Sequence, residues 1–304
     1  MTSNKINDID TFQKMSYKEG SSIRRDANMY TKNDPIRKLI EKNGVLIAAH
    51  RGTCGGNVVQ NTSLSYKNAL LHGADMIEVD AAMTTDGVFY AFHNGEEKIE
   101  YGIQKDIRTM SSQEVDSLYA LNSLGQRTKQ KAERLEEVLE RFRGQCLINI
   151  DRSWFYWKEI IAFLNSKGMQ DQILLKSGVE ESLLEEVESM GDGIMYMPIM
   201  KKMEDWQLVK SYNINVAAAE LIFTDLSSPF IQPGFMKELH ELKIAPWVNA
   251  ITLDDDIILS GGLDDNHAIR DGFEENWGRL MDMGFEILQT DWPALLKGFV
   301  TKRF

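Results

Sequence analysis

The chain lacks any run of 18 or more apolar residues, so no helix of it is expected to span a bilayer. Its first residues, Met1-Thr2-Ser3-Asn4-Lys5-Ile6-Asn7-Asp8, lack the apolar segment of a secretory signal, which favours a cytoplasmic location. Positive charge is also scarce: 34 Lys and Arg stand against 46 Asp and Glu, a net charge of −12. Such a surface repels a phosphate backbone and argues against nucleic acid as a partner. Any anionic ligand must then be met by local positive charge, from a bound cation or an individual arginine. There are only two cysteines, Cys54 and Cys146, in no zinc or redox motif. No internal repeat and no low-complexity tract occurs.

What is present is ample apolar material, 43% of 304 residues, arranged as short runs that alternate with helical spacing. A turn at Lys32-Asn33-Asp34-Pro35 leads into a short amphipathic helix over 36–43, and residues 1–43 read as an extension that covers the base of a barrel formed by the rest of the chain. Residues 45–49 form the first strand, and Thr62 caps a helix running to about His72. Residues 76–81 form the second strand. The next run, 88–93, comes too soon for a helix, so a hairpin at Asp86-Gly87 connects the two and brings His93 opposite Glu78 or Asp80. Residues 94–131 are polar, contain a helix near 111–120, and read as a small insertion over the mouth.

Beyond a helix at 132–142, strands at 146–151, 172–176, 194–198, 215–220, 244–248 and 285–290 alternate with helices at 154–166, 180–190, 203–212, 229–242 and about 269–282, and a last helix starts at Pro293. Strand–helix alternation of this length implies parallel strands with right-handed crossovers. The predicted fold is α/β, a (β/α)8 TIM-type barrel over residues 44–304, whose surplus ninth strand is explained by the hairpin between strands two and three. A doubly wound open sheet is the alternative, but no Gly-x-Gly-x-x-Gly loop comes after the first strand. In a barrel Cys54 lies at the top and Cys146 at the bottom, beyond bridging reach, so both are expected to be free thiols.

Barrel chemistry sits at the carboxyl ends of strands, and His50, Glu78, Asp80, Asp151, Lys176, Glu220, Trp247, Asn249 and Asp291 all fall at or just past such ends. Glu78 and Asp80, two apart on one strand, share a face; pointing inward they repel unless a cation lies between them. Glu78, Asp80 and Asp151 together, completed by water, suit one hard divalent cation, Ca²⁺ or Mg²⁺, and nothing resembles a zinc set.

His50-Arg51-Gly52, Gln60-Asn61-Thr62, Gly73-Ala74-Asp75-Met76-Ile77-Glu78-Val79-Asp80, Thr85-Asp86-Gly87 and His93-Asn94 succeed one another in the order found in glycerophosphodiester phosphodiesterases, and the chain resembles that family over nearly all of its length after residue 44. The resemblance implies hydrolysis of glycerophosphodiesters to an alcohol and sn-glycerol 3-phosphate, with metal bound at the positions of Glu78, Asp80 and Asp151. Attack is either by the substrate's own hydroxyl through a cyclic phosphate or by water. His50 and His93 are the expected acid and base, since two imidazoles near their ordinary pKa serve both ends of an in-line displacement at neutral pH. Arg51 is expected on the phosphate oxygens, in a salt bridge to Glu78 or another acid, or in both roles.

The chain departs from the family pattern in three places: Gln60 replaces Glu, Asn94 replaces Asp, and Asp151-Arg152-Ser153 replaces Glu-x-Lys. Lys176 is expected to supply the phosphate-binding charge lost at Ser153. Glu220 is expected to bind glycerol hydroxyls, Trp247 or one ring of Trp154-Phe155-Tyr156-Trp157 to wall the substrate site, and Asp291 to cap the last helix. The substrate partner is thus a small glycerophosphodiester. Two other readings stand beside it: lysophospholipase D-like activity on lipid-bearing diesters, which requires a wide apolar mouth, and a barrel that binds phosphoesters without turnover.

Overall fold

The structure is a computed structural model that describes residues 34–190 and 193–304. Eight parallel strands, β1 (Leu46–Ala49), β2 (Met76–Met83), β6 (Leu147–Asp151), β7 (Ile173–Gly178), β8 (Met195–Met200), β9 (Ala218–Leu221), β10 (Ala245–Asn249) and β11 (Ile287–Thr290), pair in chain order and close where β1 meets both β11 and β2. This is the expected (β/α)8 barrel. The surplus strand, β3 (Phe89–Ala91), runs antiparallel to the far end of β2, pairing Ala81 with Ala91 and Met83 with Phe89. Gly87, at φ 80°, makes the reversal.

Side-chain alternation along the strands explains how one sequence builds both a core and a site. Ile47, Ile77, Val79, Ile148, Ile150 and Val248 point outward and pack beneath the helices. Their neighbours point inward, and the inward series changes character along the barrel axis. Leu46, Met76, Leu147, Leu174, Ala245 and Ile287 form an apolar base. Toward the carboxyl ends the same series continues as His50, Glu78 and Asp80, Asn149 and Asp151, Lys176, Asn249 and Asp291. Period-2 geometry aims these polar side chains inward, and their place late in each strand gathers them at one end of the barrel.

The other end is closed by the helix Asp34–Asn43, whose Ile36 and Ile40 are buried against Leu46, Met76 and Trp247 in the inner core. Burying one such isoleucine is worth about 1.5–3 kcal/mol. An Arg37–Glu286 ion pair and a 2.8 Å bond from Asn43 Nδ2 to Asp75 Oδ1 fix the helix to the barrel rim. Of the extension expected over residues 1–43, residues 1–33 lie outside the described residues.

Two helices differ from expectation. The one expected near 111–120 is only Ser112–Val115, opened by a Ser111–Glu114 capping box, because the residues beyond it pair as β4 (Tyr119–Leu121) with β5 (Arg127–Lys131). The helix expected at about 269–282 starts earlier, at Asp265, where the Asp264 side chain caps it, and breaks at Gly272 before a wide turn over Glu274–Gly278 and a last piece over Arg279–Asp282. Cys54 and Cys146 are both free. Among the described residues no helix is long and apolar enough to cross a membrane.

Candidate active site

Three carboxylates meet at the carboxyl end of the barrel. β2 and β6 run in register with Asp80 beside Asp151, and Glu78, Asp80 and Asp151 each offer an oxygen within 4.8 Å of the others. Each is held by a different donor. Glu78 Oε2 accepts the backbone N–H of Arg51 at 2.9 Å, and Asp80 Oδ2 accepts Asn61 Nδ2 at 2.9 Å. Asp151 Oδ1 accepts the N–H of Arg152 at 2.6 Å. Glu78 Oε1 is buried and has no hydrogen-bond partner.

Burial, then the charges of Asp80 and Asp151, push the Glu78 carboxyl up to about 8. An orphaned carboxylate oxygen amid two more carboxylates is what a hard cation requires, and the donor set fits Ca²⁺ or Mg²⁺.

Lys176 lies behind this set, its ammonium 2.8 Å from Asp151 Oδ2 and 3.3 Å from Glu220 Oε2. The ammonium expected to face a phosphate instead faces two carboxylates. Glu220 Oε1 accepts Asn249 Nδ2 at 2.8 Å, and Asn249 Oδ1 accepts Trp247 Nε1 at 2.7 Å. Trp247 is fully buried in the inner core, so it supports Asn249 and gives no ring face to the mouth, contrary to expectation.

The two histidines sit in opposite surroundings. His50 Nδ1 is 2.9 Å from Asp291 Oδ1; an ionised carboxylate only accepts, so the ring proton lies on Nδ1 and Nε2 is left for chemistry. Burial opposes the charged ring, but the Asp291 hydrogen bond and the Glu78 charge outweigh it, and the pKa of His50 is raised. Asp291 thus does not cap the last helix, which starts at Pro293 with Trp292 as its uncapped first position. His93 extends the β2–β3 pairing, one residue past Phe92, whose N–H bonds Asp80 O. Its Nε2 accepts Arg152 Nη1 at 3.1 Å. Burial, reinforced by Arg51 and Arg152 against the pull of Asp80, lowers its pKa.

Arg51 holds two acids at once: Nε is 3.1 Å from Asp80 Oδ2 and Nη1 is 2.7 Å from Glu96 Oε1. Gln60 donates through Nε2 to Glu96 Oε2 at 2.6 Å and also to Glu100 Oε1. A glutamate at position 60 would put three carboxylates in contact, which gives a physical reason for the amide here. Burial and then the Glu96 charge, against the Gln60 bond, leave Glu100 up at about 8. Arg51, Asn61 and Arg152 all have positive φ, between 53° and 56°, so three strained residues surround the carboxylates. Gly52, at φ 80°, is required as well: a Cβ there would lie 2.6 Å from the Ser65 carbonyl carbon.

Sequence reasoning missed Glu96, Glu100 and Arg152, and left Asn61 without a task. Arg152 carried the clearest signal, a cation directly after a strand-ending acid.

A sequence profile described as the glycerophosphoryl diester phosphodiesterase family matches residues 50–219, and one described only as a domain of unknown function matches residues 196–300. A glycerophosphodiester phosphodiesterase of Bacillus subtilis is 34% identical over 115 residues, 34% of this chain and 38% of that protein. The mouse protein named lysophospholipase D GDPD3 is 29% identical over 93 residues, 31% of this chain and 26% of that protein. The matched stretches thus span well under half the length of these two relatives.

Among solved structures, a glycerophosphoryl diester phosphodiesterase from Parabacteroides distasonis superposes with a TM-score of 0.69 at 16% identity, covering 86% of this chain and 87% of that one. An Oleispira antarctica phosphodiesterase in complex with sn-glycerol-3-phosphate superposes at 0.60 and 16% identity, covering 84% and 96%. The fold is shared with these structures, the family's sequence pattern runs through more than half of the chain, and the chain belongs to the glycerophosphoryl diester phosphodiesterase family.

Proposed function

We propose that this protein hydrolyses glycerophosphodiesters to an alcohol and sn-glycerol 3-phosphate, using a divalent cation held by Glu78, Asp80 and Asp151. The observation that carries the reading is the convergence of those three carboxylates, with Glu78 Oε1 left unpartnered, near one histidine whose pKa is raised and another whose pKa is lowered. When bound, Ca²⁺ or Mg²⁺ would neutralise charge on the phosphate oxygens and make phosphorus more open to attack.

The remaining tasks fall to side chains. His93, whose pKa burial and two arginines lower, takes the proton of the attacking hydroxyl on Nε2 when Arg152 turns from that nitrogen to the phosphate, whether the hydroxyl comes from the glycerol moiety or from water. His50, whose pKa the Asp291 hydrogen bond raises, carries a second proton on Nε2 in its charged form and gives it to the departing alkoxide. Pushing two imidazoles apart in this way lets one site carry acid and base at the same pH. Arg51 and Arg152 flank the carboxylates and supply the phosphate-facing positive charge, a task that Lys176 cannot perform while paired with Asp151 and Glu220. Glu220 remains a candidate partner for a glycerol hydroxyl through the network it shares with Asn249.

A second reading, action on lipid-bearing diesters, is favoured by exposed apolar side chains on connections that come after barrel strands: Phe155 after β6, Leu253, Ile257 and Ile258 after β10, and Trp292 after β11. The test is incubation with glycerophosphocholine and, separately, a lysophospholipid, with Ca²⁺, Mg²⁺ or a chelator. Release of glycerol 3-phosphate that stops with the chelator is expected. Cation binding without release from either diester would leave a non-catalytic phosphoester-binding barrel and overturn the proposal.

A further inference from the structure

The connection between β10 and β11 contributes no group to the proposed reaction, yet one of its residues reaches the machinery from behind. Asp265 opens the helix Asp265–Asp271 and is 1% exposed. Its Oδ1 accepts Trp277 Nε1 at 3.0 Å and Thr290 Oγ1 at 2.8 Å, and its Oδ2 accepts the backbone N–H of Asp291 at 2.8 Å. Its own N–H bonds Ala250 O at 2.7 Å, tying it to the end of β10.

A buried carboxylate is costly to desolvate, and helix capping does not require one here, since Asp264 already caps this helix. Asp291, by contrast, has a side chain 41% exposed, and the described contacts of its carboxylate reach only His50. The direction of the Asp291 side chain therefore depends on how its backbone is fixed, and Asp265 is what fixes it.

We infer that Asp265 is a positioning residue: it anchors the backbone of Asp291 so that the Asp291 carboxylate meets His50 Nδ1, and in this way sets the tautomer and plane of the His50 ring. Asparagine at 265 would turn an –NH₂ group toward at least one of three donors, and no rotamer of an amide satisfies all of them. The role gives a task to part of the stretch that matches only a domain of unknown function.

The catalytic consequence rests on the proposed role of His50 as acid, but the structural one does not, and the test separates them. The full-length protein is labelled with ¹⁵N at its five histidines, His50 is identified from His50→Asn, and spectra are taken with and without Mg²⁺. Asp291→Asn is expected to displace the His50 Nδ1 signal, and Asp265→Asn to move it in the same direction while the other four histidines stay in place.

In the turnover arm, Asp265→Asn is expected to lower kcat about tenfold with KM changed less than about twofold, and Asp265→Asn with Asp291→Asn to be no slower than Asp291→Asn alone. Asp265→Ser, small enough to admit water, replaces Asp265→Asn if the latter does not fold. A His50 signal unmoved by either change at 265 overturns the inference, even if the protein melts lower. A wild-type protein that cleaves no diester overturns the proposed reaction and leaves the spectral arm to decide the positioning role.

Discussion

Replacing Lys176 by methionine keeps most of the stem's volume and removes only the charge. The Lys176 side chain is 3% exposed, and its ammonium lies within 3.3 Å of oxygens from both Asp151 and Glu220. Without it, Asp151, half-buried, retains the Arg152 N–H, and Glu220, buried, retains only the Asn249 amide. Breaking a buried pair from one side costs about 3–5 kcal/mol. At about 2 °C per kcal/mol for a chain of this size, the melting temperature in chelator should fall by roughly 6–10 °C.

A divalent cation supplies the missing positive charge only where Asp151 is, so it should restore part of the loss. At about 100 times its Kd a ligand adds about 2.7 kcal/mol. The assay is calorimetric or fluorimetric melting of both proteins with chelator and with excess Ca²⁺ or Mg²⁺. Lys176→Met should gain more from the cation than the wild type does. A fall of less than about 2 °C in chelator, or identical cation responses, would refute the account of Lys176 as the internal counter-ion of this site.

Three other outcomes are expected. Glu78 and Glu100 are both raised to about 8, above their unfolded values, so their contribution to stability is full below the ordinary glutamate range and is lost as pH rises toward 8. Chelated protein should thus melt lower at alkaline pH, cation binding should release protons detectable by calorimetry in buffers of different ionisation enthalpy, and cation should flatten the Glu78 part of the slope. Arg152→Ala removes a cation from beside His93, so the acidic limb of the kcat/KM profile should move to higher pH. Loss of a charge-assisted contact to phosphate should also cost about 10- to 100-fold in kcat/KM; an unmoved limb would disprove the assigned influence on His93. His50→Asn and His93→Asn should each lower kcat by about 10²–10⁴ while leaving calcium or magnesium affinity, read by calorimetry, near the wild-type value.

The barrel and its carboxylate set were legible because both are periodic. Glu78 and Asp80 share a face by strand geometry alone, and the short gap at Asp86-Gly87 forced a hairpin that carries His93 back toward them. The supporting groups were not legible, because nothing local marks them. Glu96 and Glu100 come from an insertion whose path depends on the β4–β5 pairing. Asp265 meets Asp291 from 26 residues away through a buried hydrogen bond. Lys176 and Trp247 were expected at strand ends but lie inside β7 and β10, and position on a strand does not tell whether a neighbouring carboxylate or amide has already claimed the polar atom. The same limit applied to Asp291, which stands beside a helix start and spends its carboxylate on His50 across the sheet closure.

The helix Asp34–Asn43 has a bearing on turnover. With Ile36 and Ile40 seated in the apolar end, the described residues close the barrel opposite the candidate site, so in the proposed reaction the diester would enter and both products would leave on the carboxyl side of the strands. The alcohol and the phosphomonoester would then leave by the route through which the next diester arrives, the more highly charged product from beside the three carboxylates. Traffic along that route, more than bond cleavage, would then set the ceiling on rate, and solvent viscosity is the knob that would reveal it.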